Sequence, residues 1–162
     1  MHEIAMRPIG VVRSPWTSLQ GMPIQPTGAG NAQGQLMLHP EYAAGLADLD
    51  GFSHAYLLYH FHQSQGFDLK VTPFLDDTPR GLFATRAPRR PNPMGLSIVR
   101  VLGVEGNIVR IADVDVLDGT PLLDIKPYMP AFDAFPEARA GWAEKSQAQA
   151  RSTRSDSRFT PS

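Results

Sequence analysis

A proline- and arginine-rich stretch, residues 81–97, constrains the fold of this chain more than any other segment. It reads GLFATRAPRRPNPMGLS and places three prolines and three arginines between two apolar runs. Each proline fixes the backbone φ angle and removes a hydrogen-bond donor, so the stretch cannot be a helix interior or a central strand. A stiff loop with permanent positive charge favours an anionic or nucleotide-like ligand. A surface loop whose arginines are only solvated is the alternative.

Composition narrows the class of protein. The 162 residues suit one domain with its own core, and 42% of them are hydrophobic. No apolar run reaches membrane-spanning length and the N-terminus lacks the features of a secretory signal, so we expect a cytoplasmic protein. The lack of cysteine excludes disulfides and thiolate metal sites. The net charge of −1 argues against non-specific coating of nucleic acid, but a local basic patch at 80–100 remains possible.

Short β-prone runs separated by turn residues predict a mainly β domain, either a barrel or a sandwich. The predicted strands are 8–13, 35–38, 52–62, 69–72, 82–85, 96–102, 108–116 and 122–126. A short helix is expected at 40–49 and another at about 136–150. We place the β domain at 1–135, and at 136–162 the second helix with a low-complexity tail that ends in a mobile segment. No Gly-x-Gly-x-x-Gly turn follows a strand, which excludes the usual dinucleotide-binding reading.

Two segments outside the arginine-rich stretch have several interpretations. Residues 22–26 (MPIQP) are either a polyproline-like connector or a rigid clasp in which Gln25 meets a ligand. His60 and His62 share one face of a strand, but no third metal ligand stands at a convincing spacing, so we predict no metal site. A hydrogen-bonding role for His62 and Gln63 at the end of the strand is the better interpretation.

The segment 117–121 (LDGTP) carries the remaining chemistry. Asp-Gly is an ordinary hairpin turn. Asp118 and Thr120 also offer a carboxylate and a hydroxyl, groups that suit an amine and a ribose or purine edge.

Six motifs, in order along the chain, resemble those of the TsaA-like domain, the family of TrmO or YaeB-like proteins. They are IGVVRSP at 9–15, GFSH at 51–54, FHQ at 61–63, GLFATR at 81–86, RPNPMG at 90–95, and DGTP with DIKPY at 118–121 and 124–128. The resemblance runs from residue 7 to about residue 132. It implies a single-sheet β-barrel with a few short helices and long functional loops, unlike the Rossmann-type methyltransferases.

The resemblance also implies an activity. Members of this family are S-adenosyl-L-methionine-dependent methyltransferases that form homodimers. The implied reaction is N6-methylation of threonylcarbamoyl-adenosine next to the anticodon of tRNA. A methyltransferase of the same fold acting on a small molecule or another nucleoside is an alternative, as is a non-catalytic module that binds S-adenosylmethionine or RNA.

Family positions that contact the cofactor fall on five segments of this chain. They are Pro23, Ile24 and Gln25; His62 and Gln63; Arg86; Leu96; and Asp118, Gly119, Thr120 and Pro121. Ile24 stands where many relatives have arginine, so one cationic contact is absent. Longer bacterial members also carry an additional C-terminal domain.

Methyl transfer from a sulfonium needs alignment and a place for the released proton, and it needs no metal. His62, Asp118 and a bound water all remain candidates for the proton acceptor. Arginines suit a substrate carboxylate or RNA phosphates. On the substrate side we expect Arg89, Arg90, Asn92, Lys126 and Tyr128.

Overall fold

Short β-prone strands close into a six-stranded antiparallel barrel. The computed structural model describes residues 2–146 and 153–159. The barrel strands are β1 (Gly10–Arg13), β2 (Gln33–Leu38), β3 (His54–His60), β6 (Met94–Glu105), β7 (Ile108–Ala112) and β8 (Thr120–Pro127). Their order around the barrel is β1-β2-β7-β6-β3-β8. The predicted mainly β fold and the single-sheet barrel are therefore confirmed.

Strand β3 shows why these residues form a barrel. Its alternate residues Ala55, Leu57 and Tyr59 are buried inside, while the residues between them lie on the outer face. Leu57 and Leu122 are fully buried, and burial of one such side chain stabilises the fold by about 1.5–3 kcal/mol. Because β3 pairs with both β6 and β8, it joins the strand that follows the arginine-rich stretch to the strand that begins in the 118–121 turn.

A side lobe, which we define as residues 68–93, projects from the end of β3. It holds the two-stranded sheet of β4 (Lys70–Val71) and β5 (Arg80–Gly81), followed by a 3-10 turn at Leu82–Ala84. Its small core consists of Val71, Leu82 and Ala87. Trp142 donates its indole N–H to the carbonyl of Ala84, 2.8 Å away, and so ties the chain after the barrel to this lobe.

Three predicted elements differ in the structure. The helix expected at 40–49 is a 3-10 helix at Pro40–Leu46 and another at Leu49–Gly51, because Asp48 between them adopts a left-handed φ of 66°. The strand expected at 82–85 is a 3-10 turn, since Thr85 bonds back to Leu82 instead of to a neighbouring strand.

The helix expected at 136–150 likewise differs in the structure. A one-turn α-helix, α1 (Pro130–Asp133), comes earlier, and a 3-10 helix follows at Gly141–Ser146. The remainder of that predicted helix lies outside the described residues. Residues 153–159 of the tail, expected to be mobile, make specific contacts with the body. Within the described ranges, no helix has the length and hydropathy that a membrane span requires.

Candidate active site at one end of the barrel

The turn at 118–121 is fastened to the end of β1. Asp118 accepts the backbone N–H of Ser14 at 3.0 Å on one carboxylate oxygen and faces the Arg13 guanidinium at 3.4 Å with the other. Gly119 donates its N–H to the carbonyl of Val12 at 2.9 Å and has a φ of 78°, which favours glycine. Both oxygens of Asp118 thus hold the turn in place.

His62 lies beside this turn. Its Nδ1 is 3.4 Å from the Thr120 hydroxyl, so the segment after β3 meets the start of β8. Partial burial, with a smaller contribution from the nearby His60, lowers the pKa of His62 below its usual 6.5. His62 is therefore mainly neutral at pH 7, with a lone pair that can accept a proton.

Hydrogen bonds join the segment after β3 to the arginine-rich stretch. The Ser64 hydroxyl donates to the carbonyl of Pro88 at 3.1 Å, and the Arg89 Nε donates to the carbonyl of Gln65 at 3.1 Å. Arg89 also faces Asp68 at 3.4 Å across a largely exposed ion pair. The side lobe is therefore held against the end of the barrel where His62 lies.

The three arginines of the stretch have different surroundings. Arg90 donates from Nη1 to the carbonyls of Thr85 at 3.0 Å and Ala87 at 3.2 Å, so it organises the lobe. Its guanidinium also lies 5.8 Å from the ring centre of Phe83, which is 75% exposed. Arg86 is exposed and makes no hydrogen bond or ion pair with any residue in the described ranges. Its charge is thus available to an anionic ligand.

A buried polar chain runs beneath Arg86. The Tyr59 hydroxyl lies 3.0 Å from the Ser97 hydroxyl, which donates to Asp115 at 2.7 Å. Gly95 leaves room for the Tyr59 ring, because a Cβ at position 95 would stand 2.1 Å from that ring. Burial raises the pKa of Asp115 to about 6, although the Ser97 hydrogen bond and the charge of Arg86 act in the opposite direction. Burial and the nearby Asp115 carboxylate likewise raise the pKa of Tyr59.

The structure brings together only part of the predicted site. His62 lies against the turn at 118–121, with Gln63 exposed next to it in the chain, and the charge of Arg86 reaches Asp115, three positions before that turn. Pro23 is buried, and Ile24 and Gln25 are half-buried, in a loop that precedes β2. Asn92 is exposed in the tight turn that begins β6, where its carbonyl accepts the Met94 N–H at 2.7 Å.

Three predicted residues lie elsewhere. Leu96 is on the outer face of the barrel, 60% exposed. Lys126 and Tyr128 lie beside the start of β3, since Tyr128 donates its N–H to the carbonyl of His54, and Lys126 pairs with Asp124 at 2.9 Å. His62 follows the other end of β3, a strand about 20 Å long. Lys126 and Tyr128 are therefore at the opposite end of the barrel from His62.

Sequence reasoning missed several residues at this end of the barrel. Ser97 and Asp115 look like ordinary strand and loop positions in the sequence. Nothing in their local sequence shows that these two residues, 18 positions apart, form a hydrogen bond. Ser14 belongs to the IGVVRSP motif, which could have pointed to a contact with the DGTP turn. No group of three metal-ligating side chains occurs among residues 2–146 and 153–159.

The arrangement offers an anion-binding guanidinium, a neutral imidazole and a rigid polar turn at one site. These groups suit a small zwitterionic ligand that also carries a nucleoside. The family model of the tRNA-methyltransferase O N-terminal domain matches residues 11–134. The chain belongs to this family. Membership in the tRNA-methyltransferase O family confirms the resemblance drawn from the motifs.

Relatives within the family carry informative names. A Pyrococcus abyssi protein, named as a probable S-adenosyl-L-methionine-binding protein, is 48% identical over 156 residues, covering 96% of this chain and 85% of its own. The tRNA (adenine(37)-N6)-methyltransferase of Escherichia coli is 37% identical over 158 residues, covering 91% of this chain and 67% of its own. The cofactor and reaction class expected from the motifs agree with these names.

Solved structures agree with the fold. The crystal structure of TrmO from Pseudomonas aeruginosa superposes with a TM-score of 0.75 at 39% identity, covering 88% of this chain. The matched part is 64% of that TrmO chain. This protein therefore spans less than two thirds of the solved relative.

Proposed function

We propose that this protein is an S-adenosyl-L-methionine-dependent methyltransferase that modifies N6 of adenosine 37 in tRNA, with threonylcarbamoyl-adenosine as the methyl acceptor. Family membership and the names of the relatives support the cofactor, methyl transfer and the tRNA adenine. The observation that carries the proposal is the contact of neutral His62 with the 118–121 turn, while the arginine-rich stretch is hydrogen-bonded to the segment that follows His62.

The chemistry of these donors fits S-adenosyl-L-methionine. Arg86 would bind its carboxylate, since that guanidinium is exposed, makes no hydrogen bond or ion pair among the described residues and acts on Asp115 only through its charge, and a guanidinium matches a carboxylate in shape and charge. The turn at 118–121 would hold the amine or ribose through its backbone and the Thr120 hydroxyl. Gln25, Pro23 and Ile24 would close the site from the loop before β2. When bound, the cofactor supplies an electrophilic methyl group on a sulfonium.

His62 is the proposed proton acceptor. The two oxygens of Asp118 already receive Ser14 and Arg13, whereas the His62 imidazole is mainly neutral, lies a long 3.4 Å from the Thr120 hydroxyl and also interacts with the His60 backbone. The acceptor nitrogen must lose a proton during or after attack, and a neutral imidazole at the site can receive it. The structure thus favours His62 over Asp118 for this role.

The side lobe is the proposed substrate surface. Phe83 offers an exposed ring flanked by Arg90, and unstacked RNA bases are bound by aromatic rings and guanidinium planes. Arg89, although paired with Asp68, is exposed enough to exchange that partner for a phosphate. Asn92 lies on the same loop. Lys126 and Tyr128 remain predicted substrate residues. Because they lie at the end of the barrel opposite His62, they would contact the tRNA only if it extends along the barrel or if they belong to a second copy of the protein.

A homodimer is the proposed assembly, and a cytoplasmic location follows from the proposed tRNA substrate. The outer faces of β6 and β3 carry an apolar strip of Leu96, Ile98, Tyr56 and Leu58, in which Leu58 pairs with Leu96 and Tyr56 with Ile98. Leu96 is 60% exposed and Ile98 37% exposed. Association of two copies through this strip would bury it and would bring Leu96 towards the site of the other copy.

Nucleoside mass spectrometry of tRNA tests the proposed reaction. Purified protein with S-adenosyl-L-methionine should add one methyl group to threonylcarbamoyl-adenosine in tRNA from a strain that lacks this gene. The Asp118→Ala variant is the control, because loss of the fastened turn should weaken cofactor binding at least tenfold by calorimetry. Methylation of unmodified adenosine alone would reject the proposed acceptor, and unchanged tRNA despite cofactor binding would reject the reaction.

A further inference from the structure

The C-terminal segment at 153–159, which we call the strap, pairs with the loop that precedes the cofactor segment. Gly21 donates its N–H to the Ser155 carbonyl at 3.0 Å, and Ser155 donates its own N–H to the Met22 carbonyl at 2.9 Å. Pro23 and Arg154 form the adjoining antiparallel bridge. The strap therefore abuts Pro23, the first residue of the predicted cofactor segment.

The side chain of Ser155 adds two further bonds to the same loop. Its hydroxyl accepts the Met22 N–H at 2.9 Å and donates to the Leu19 carbonyl. One hydroxyl thus satisfies two backbone groups of a loop that has no regular secondary structure of its own at these positions. Met22, only 7% exposed, is buried where the two segments meet.

The other end of the strap packs on the side lobe. Phe159 contacts the cluster of Val71, Leu82 and Ala87, and its ring stands edge-on to Phe74 with centroids 5.1 Å apart. Ala87 directly follows Arg86, the proposed carboxylate ligand. The seven residues of the strap therefore connect the loop that carries Pro23 to the lobe that carries Arg86.

We propose that the strap holds the loop of the cofactor site in its binding conformation and that Ser155 is a positioning residue for Pro23, Ile24 and Gln25. This inference rests on the proposed cofactor site. With the strap in place, the loop is ordered before the cofactor arrives. The free energy of cofactor binding is then not reduced by the entropic cost of ordering the loop. Ser155 itself touches neither cofactor nor substrate in this account.

Calorimetry of S-adenosyl-L-methionine binding to the full-length protein tests the proposal. Ser155→Ala removes both side-chain bonds and should raise the Kd about tenfold, since each lost bond contributes about 0.5–1.5 kcal/mol. Ser155→Thr retains a hydroxyl and should restore most of the affinity. Ser18→Ala is the matched control, because the Ser18 hydroxyl bonds Gln20 within the same loop and does not meet the strap.

Two further readouts separate positioning from general loss of structure. At saturating cofactor the kcat of Ser155→Ala should stay within about twofold of the wild type, so the effect appears in KM. Hydrogen exchange of the Met22 amide should accelerate while that of core residues such as Leu57 does not. Phe159→Ala, at the other end of the strap, should weaken cofactor binding independently of Ser155.

The outcomes are distinguishable. A wild-type protein that fails to bind S-adenosyl-L-methionine overturns the proposed function and this inference with it. A wild type that binds, together with a Ser155→Ala variant that binds equally well despite fast Met22 exchange, overturns only the inference. An equal loss of affinity in Ser18→Ala also overturns it, because any weakened loop would then behave alike.

Discussion

His62 lies beside the turn that carries Asp118, and both carboxylate oxygens of Asp118 are occupied by Ser14 and Arg13. We expect His62→Gln to lower kcat by about 100-fold, with cofactor Kd changed by no more than a few-fold, because it removes the proton acceptor. The lowered pKa of His62 also predicts that the wild-type rate is constant near pH 7–8 and falls below pH 6.5 as the imidazole becomes protonated.

Steady-state kinetics between pH 5 and pH 8 measures both effects. His60→Gln is the matched control: it removes the histidine at the end of β3 and should retain most of the activity at pH 7–8, while the acidic limb moves to higher pH because His60 lowers the pKa of His62. An acidic limb that persists in His62→Gln would assign the titration to another group.

Phe83 is a second residue whose environment allows a sharp test. Replacement by alanine should weaken tRNA binding by about 1–3 kcal/mol, the usual contribution of one base stacked on an aromatic ring. Cofactor affinity should not change. Phe83→Tyr should restore binding, and Phe135→Ala, which removes a ring that is 72% exposed outside the side lobe, should have no effect. Filter binding with tRNA measures the difference, and equal loss in both alanine variants would contradict the stacking surface.

At the scale of elements, two arginines of the arginine-rich stretch have different expected functions: Arg90 stabilises the side lobe, and Arg89 binds tRNA. Arg90→Ala should reduce the free energy of unfolding by about 2 kcal/mol, because three backbone carbonyls of the side lobe lose a charged donor. Arg89→Ala should leave stability nearly unchanged and should flatten the salt dependence of tRNA binding. Urea unfolding and binding at several salt concentrations measure these effects. Equal stability of the two variants would show that the lobe does not depend on Arg90.

The buried polar chain affects the stability of the whole barrel. The pKa of Asp115 is raised to about 6 from an ordinary 3.8, so its contribution to stability is fully present below about pH 3.8 and is lost as the pH rises through 6. Asp115→Asn should therefore be more stable than the wild type at pH 7.5, by at most about 3 kcal/mol. The difference should disappear near pH 4. Thermal unfolding across this range tests it, and a pH-independent difference would exclude Asp115 as its source.

The assembly is the largest scale at which the structure makes a prediction. Ile98→Glu should convert a dimer into a monomer, because a carboxylate would be buried in the proposed interface. Met37→Glu is a matched control, since Met37 is also 37% exposed but lies on β2, across the barrel from β3. Light scattering after gel filtration measures the mass. A dimer that survives Ile98→Glu would place the interface elsewhere.

Much of the barrel was predictable because its signals are local. The run of β-prone residues in β3 and the turn before β7 needed no knowledge of distant residues. The helix expected at 40–49 forms as a 3-10 helix that ends at Leu46, because the left-handed backbone of Asp48 interrupts a pattern whose apolar spacing continues to Leu49. The strand at 82–85 was wrong because its leucine packs into a lobe core instead of a sheet.

The sequence by itself determined the family, the β fold and the segments of the candidate site, since motifs, β-prone runs and turn residues are properties of neighbouring residues. Tertiary structure decided which of those residues share a surface. It brought His62 against the 118–121 turn and the arginine-rich stretch against the segment after β3, separated Lys126 and Tyr128, and joined Ser155 to a loop 133 positions earlier. Such contacts depend on barrel closure, which brings together groups whose distance along the chain carries no information about their distance in space.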